Sequence, residues 1–236
     1  MTEPQAIPES LKKLEKLIGV TFADTNHLLT AITHRSYLNE HREARQQHNE
    51  RYEFLGDAVL ELVVTDFLFN AYPEKPEGDL TAIRAALVNT VSLSEVASNM
   101  NINEFLLLSK GEERDTGRAR QYILANTFES IIGAIYLDQG YDAAKEFIGG
   151  HLFDKTATII AKRLWQDAKS RFQELAQEPA SITPNYDTLS QTGPDHDRVF
   201  TGGVFLGEAK IAEGKGRSKQ EAEQSAAEAG ITAKGW

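Results

Sequence analysis

From Ser10 to about Ala161, apolar residues recur at helical spacing: Leu11, Leu14, Leu17 and Ile18; Leu28, Leu29 and Ile32; Leu55, Val59, Leu60, Leu62, Val63, Phe67 and Leu68. Further segments of this kind run over Asp79–Asn101, Asn103–Leu108 and Gln121–Asp138, and a last one begins at Tyr141. Pro73, Pro76 and Gly78 punctuate one junction, and Gly111 and Gly117 another. After about Asp167 the texture changes. A helical stretch, Ala168–Gln177, gives way to Pro179, Pro184, Gly193 and Pro194, and then to alternating segments over Val199–Phe205 and Glu208–Ala212 that meet at Leu206-Gly207. A helix over Ser218–Ala229 follows, with Ser218 and Glu221 at the spacing of a capping box. The pattern predicts an all-α helical domain over residues 1–160 and a small α+β domain, ordered helix, three strands, helix, over residues 166–236.

Composition narrows the function classes. The 236 residues are long enough for two ordinary domains with cores of their own. With no Cys, disulfide scaffolds, thiolate metal sites and cysteine nucleophiles are excluded. No apolar run approaches the roughly 18 residues of a membrane helix. The opening Met-Thr-Glu-Pro-Gln lacks the basic-then-apolar form of a signal peptide, so a cytoplasmic protein with no membrane partner is expected. The formal net charge is -10, unevenly spread: residues 161–236 carry 10 Lys/Arg against 11 Asp/Glu, and residues 1–160 carry 15 against 24. Net charge alone favours an acidic enzyme that does not touch nucleic acid, so any other reading has to rest on local clusters.

One such cluster is a stripe of acids. At about 100° per residue, Glu50, Glu53, Asp57 and Glu61 fall within a band about 80° wide on the helix predicted over Asn49–Phe69, whose other directions are nearly all apolar. A helix apolar almost all round is expected to be buried, which turns its stripe toward an internal cleft, a partner or a metal. The segment Ile123–Ile135 repeats the oddity, with Asn126 and Glu129 sharing one face of an apolar helix. Buried carboxylates need compensating cations, and oxygen-only donors suit a hard ion such as Mg²⁺. A di-iron bundle would need Glu-x-x-His pairs, and no Glu here has His three residues later. His34, His41 and His48 recur every seven residues, the spacing of surface or satisfied core residues on a helix.

The run Asn49-Glu-Arg-Tyr-Glu-Phe-Leu-Gly-Asp-Ala-Val-Leu60 resembles the signature segment of the ribonuclease III family, endonucleases that cut double-stranded RNA. Thr33–Ser36, Pro76–Leu80, Arg84–Val88, Ile123–Glu129 and Gly133–Asp138 resemble further family segments in the same order, and the tail resembles the double-stranded-RNA-binding domain that follows the nuclease domain in the simple bacterial enzymes. The resemblance implies Glu53, Asp57 and Glu129 as metal ligands, with Asp57 and Glu129 catalytic. It also implies Mg²⁺ as cofactor, with Mn²⁺ able to substitute, and no small-molecule cofactor. Glu50 and Glu77 match acidic positions that assist metal binding or RNA positioning. Phe54 matches an aromatic that enters a socket on a second subunit, which implies a homodimer. The implied products carry 5′-phosphate and 3′-hydroxyl ends, and the implied substrates are ribosomal RNA precursors and structured messages. Glu61 matches no role and is expected to be a surface or packing residue.

Two departures bear on that expectation. Asn126 stands where the family usually has Asp, so this position can offer an oxygen but no charge. The alternative this raises is a duplex-RNA-binding protein impaired in cleavage. In the tail, Gly214-Lys-Gly-Arg-Ser-Lys219 leads into the last helix and reads as a phosphate-binding turn in which Lys215, Arg217, Ser218 and Lys219 contact RNA. Gln173 on the preceding helix and His196 between the first two strands are the expected minor-groove contacts. Gln220-Glu221 replaces the consecutive basic residues common in the family, so modest affinity and a shallow salt dependence are expected.

Overall fold

The computed structural model describes residues 6–44, 46–180, 183–194 and 198–236, which form two compact units, Met1–Trp165 and Gln166–Trp236. In the first unit the helices are α1 (Ala6–Ile18), α2 (Thr25–Ala31), α3 (Arg35–Glu40), α4 (Glu50–Ala71), α5 (Glu77–Val88), α6 (Thr90–Asn99), α7 (Lys110–Arg114), α8 (Arg118–Gln139) and α9 (Tyr141–Ala161). The predicted apolar stripes become its core: Leu14, Leu28, Leu60, Val63, Phe128, Ile131 and Ile132 are almost wholly buried. No helix among the described residues is long and apolar enough to cross a membrane.

Local chemistry explains where these helices stop. The segment expected to run from Asp79 to Asn101 divides at Asn89, whose extended backbone ends α5 and whose side chain accepts from the Ser92 amide at 2.9 Å to cap α6. The segment expected over Asn103–Leu108 is only a 3-10 turn at Ile102–Phe105. Beyond that turn Leu107 leaves helical geometry and bridges to Thr33, while the Leu107 carbonyl accepts from the His34 amide at 3.0 Å. Asp138, at the end of α8, accepts from the Ala23 and Asp24 amides at 2.8 and 2.9 Å and so fixes the loop that enters α2.

In the second unit α10 (Ala168–Ala180) and α11 (Lys219–Lys234) cover an antiparallel sheet of β1 (Pro184–Thr192), β2 (Val199–Leu206) and β3 (Ala209–Gly216), in spatial order β1-β2-β3. Its core is Phe172, Ala176, Val204, Ala226, Ala227 and Ile231. The first half of the turn expected at Gly214–Lys219 is strand: Lys215 pairs with Thr201 and Gly216 with Phe200. The glycines serve packing, since a Cβ on Gly214 would lie 2.1 Å from the Ala226 amide nitrogen and one on Gly216 would lie 2.4 Å from the Glu221 Cβ.

The tightest approach in the first unit is between α4 and α8. A Cβ on Gly56 would lie 1.8 Å from the Glu129 carbonyl oxygen, and one on Gly133 would lie 2.3 Å from the Tyr52 carbonyl oxygen. We therefore expect Gly56→Ala to lower stability by at least about 2 kcal/mol, because backbone must move to admit the methyl group. Gly78→Ala, where the added Cβ meets open space, should leave stability unchanged or raised. Urea unfolding of the two variants checks this, and equal midpoints would contradict the close approach.

Candidate active site

The glycine contact draws two acid-bearing faces together. Asn49, buried ahead of α4, is anchored by its side chain to the Ala31 carbonyl and by its amide to the Thr33 carbonyl at 2.9 Å. Ser130 Oγ on α8 donates to the Asn49 carbonyl at 3.3 Å and to the Asn126 carbonyl at 2.8 Å. One turn along α4, the Asn126 side chain lies near enough to the Glu53 carboxylate to favour its charged form. The helices thus bring Glu53, Asp57, Asn126 and Glu129 to one place.

Electrostatics mark Glu129 as the most perturbed acid of the group. It is half-buried, and burial first, then the negative charges of Asp57, Glu53 and Glu61, push its pKa up from 4.5 to about 8. Glu53 is also raised, by burial, by Glu50 and by Asp57, against the hydrogen bond from Asn126 that favours its charged form. Among the described residues no three His, Asp or Glu side chains stand close enough together to hold a metal ion as they lie. The donor set nevertheless fits a hard divalent ion: it is all oxygen, and it contains a half-buried carboxyl that, among the described residues, no cation is seen to compensate.

The remaining expected residues divide. Glu50 is exposed, accepts from Arg35 at 3.0 Å, and acts on Glu53 only through space. Glu77, exposed in the first turn of α5, accepts from Thr81 at 2.9 Å and is not among the charges acting on Glu53 or Glu129. Phe54 is 81% exposed, and Leu62 and Phe69 on the same helix are also exposed. The expectation that α4 is buried nearly all round is thereby corrected: Phe54, Ala58, Leu62 and Phe69 form an open, largely apolar stripe. Glu61 is corrected too. It forms an ion pair with Arg84 of α5 at 2.8 Å and acts electrostatically on Glu129, a tertiary pairing that its place on the stripe did not reveal.

On the second unit Gln173, Lys215, Arg217, Ser218 and Lys219 are all exposed, while His196 lies outside the described residues. Ser218 caps α11 by accepting from the Glu221 amide at 3.1 Å, and the Glu221 carboxylate accepts from the Arg217 amide at 2.8 Å. The return bond of the expected capping box therefore reaches one residue further back. These contacts occupy amides that an incoming phosphate would otherwise use.

Residues 24–156 match a family profile described as Ribonuclease-III-like, and residues 168–233 match the double-stranded RNA binding motif. Ribonuclease 3 of Carboxydothermus hydrogenoformans is 46% identical over 219 residues, 93% of this chain and 93% of its own. Ribonuclease 3 of Listeria monocytogenes serotype 4a is 44% identical over 222 residues, 93% of this chain and 96% of its own. Among solved structures, the nuclease domain of ribonuclease III from Campylobacter jejuni, described for flexibility in a region involved in dimer formation, is 41% identical with a TM-score of 0.54. The match covers 60% of this chain and 97% of that one.

The raised Glu129 has a measurable consequence. Its folded pKa of about 8 lies above the ordinary 4.5, so the folded state retains a proton that the unfolded chain releases. In the absence of divalent ions, stability should fall as pH rises from about 4.5 toward about 8 and the Glu129 contribution should then level off. Urea unfolding in EDTA between pH 5 and 9 is expected to show the wild type losing stability relative to Glu129→Gln over that window, whereas parallel profiles would refute it.

Proposed function

The chain belongs to the ribonuclease III family of endoribonucleases acting on double-stranded RNA, and we propose that its cleavage runs on divalent-metal chemistry at the Glu53, Asp57, Asn126 and Glu129 cluster. The observation that carries this reading is Glu129: a half-buried carboxyl, surrounded by other acids, which a cation would return to its charged form. An acidic array repels the phosphates of an approaching duplex, so a compensating ion is needed for binding as well as for chemistry. Mg²⁺ held by these residues, or Mn²⁺ in its place, would supply a water of lowered pKa and stabilisation of charge on the leaving oxygen, chemistry consistent with 5′-phosphate and 3′-hydroxyl ends. Glu53, Asp57 and Glu129 would hold the ion through carboxylate oxygens and Asn126 through its side-chain oxygen, with Asn126 also favouring the charged form of Glu53.

The working unit in this reading is a homodimer. Antiparallel packing of α4 against a second copy about Leu62 puts Phe54 of each chain level with Phe69 and Asn70 of the other. Beside Phe69 lies a cleft of about 420 Å³ lined by Thr65, Leu68, Leu80, Thr81 and Arg84. A self-complementary pairing of this kind covers the exposed Phe54, Leu62 and Phe69 together. The second unit grips the duplex through Gln173, Lys215, Arg217, Ser218 and Lys219, reading shape more than sequence. Structured precursors of ribosomal RNA and messages with long stems are the substrates this reading implies.

A labelled RNA duplex several helical turns long, incubated with the full chain in Mg²⁺, in Mn²⁺ and in EDTA, tests the proposal. Metal-dependent shortening that Glu129→Gln lowers by at least about a hundredfold is expected. Binding without cutting in either metal would overturn it in favour of a duplex-RNA-binding protein disabled at Asn126.

A further inference from the structure

We propose that Arg118 and Tyr122 extend the site along α8 as a seat for the backbone of the strand that is cut, with the Tyr122 hydroxyl bonded to a ribose 2′-hydroxyl and Arg118 to a phosphate. This inference rests on the reading that cleavage takes place beside Asn126 and Glu129, and concerns how the duplex is positioned there. The helix Arg118–Gln139 is unbroken. Steps of about 100° per residue put Arg118, Glu129, Tyr122 and Asn126, in that angular order, within a band about 80° wide. At about 1.5 Å per residue, Tyr122 lies about 10 Å and Arg118 about 16 Å from Glu129 along the helix axis, a span of a few nucleotides.

Both side chains are open to an incoming strand. Tyr122 is 51% exposed and Arg118 is exposed, and neither makes a hydrogen bond or ion pair among the described residues. Arg120, on the opposite face of the helix, shows the contrast: it donates to the Asn103 side chain and to the carbonyls of Glu112 and Asp115, and so braces the chain ahead of α8. The Arg118–Glu129 face therefore runs from an unpaired cation to the acids, and a phosphate chain repelled at one end is attracted at the other. Base pairing withholds the faces of the bases from Tyr122, whereas the wide, shallow minor groove of an RNA duplex presents 2′-hydroxyls. A tyrosine offers that groove an apolar ring to lie against the sugar and a hydroxyl that donates or accepts.

The test is single-turnover cleavage by the full chain at sub-saturating concentration, on labelled duplexes carrying one 2′-deoxynucleotide at a time, up to about five nucleotides either side of the cut. For the wild type, deoxy substitution at one position should slow cleavage by about threefold to tenfold. Tyr122→Phe should slow cleavage of the all-ribose duplex by a similar factor, become indifferent to deoxy substitution at that position, and respond as the wild type does at the others. Arg118→Gln should lower the salt dependence of cleavage by about one unit of logarithmic slope. Cutting that Glu129→Gln abolishes, but with Tyr122→Phe and every deoxy substitution acting additively or the slope of Arg118→Gln unchanged, would overturn this inference alone. Dissociation of Tyr122→Phe to a smaller species in sedimentation would overturn it in favour of a contact between copies of the chain. Failure of the wild type to cut in either Mg²⁺ or Mn²⁺ would overturn the metal reading itself, and this inference with it.

Discussion

Everything at the candidate site depends on how closely two helices can approach. Gly56 and Gly133 let the backbones of α4 and α8 meet where a methyl group on either would overlap a carbonyl oxygen. At that separation Asn126 acts on Glu53 while Glu129 feels Asp57, Glu53 and Glu61 together. The buried lattice around the crossing, with Ser130 bonded to Asn49 and Asn49 bonded to the Ala31 and Thr33 backbone, fixes the rotation of both helices. Packing and electrostatics are therefore coupled: the contact that completes the core also forces acids together.

That coupling carries a cost. Several carboxylates around one space, one of them half-buried, oppose folding at neutral pH unless protons or cations gather there. Most ion pairs in the unit lie on its outside, as with Lys145 and Asp66 at 2.6 Å, and exposed pairs of that kind contribute little. Arg84 differs because its partner belongs to the acidic stripe. Apolar residues on either side, Leu60 and Val63 on α4 and Phe128 and Ile132 on α8, hold the acids in place against their repulsion.

How much was legible in the sequence follows from the range of each interaction. The acid stripe and the Asn126–Glu129 face were readable because helical period alone puts such residues on one side. The Glu61–Arg84 pair was not, since it joins two helices and has no local signature. The exposure of Phe54, Leu62 and Phe69 was missed because an apolar residue does not state what covers it. In the tail, β1 is polar and exposed over most of its length and lacks the alternation that marks a half-buried strand, so its position stayed undefined although a third strand was expected. Gly214 and Gly216 read as phosphate-loop residues because their close approach to α11 is visible only in three dimensions.

The central claim is that a divalent cation relieves the charge forced together at the α4–α8 crossing, and its most direct measurement is the unfolding temperature of the RNA-free protein as Mg²⁺ is added. The account predicts a saturating rise for the wild type and little or none for Glu129→Gln, because an ion that binds only the folded site stabilises it by mass action. An identical response in the two proteins would contradict it.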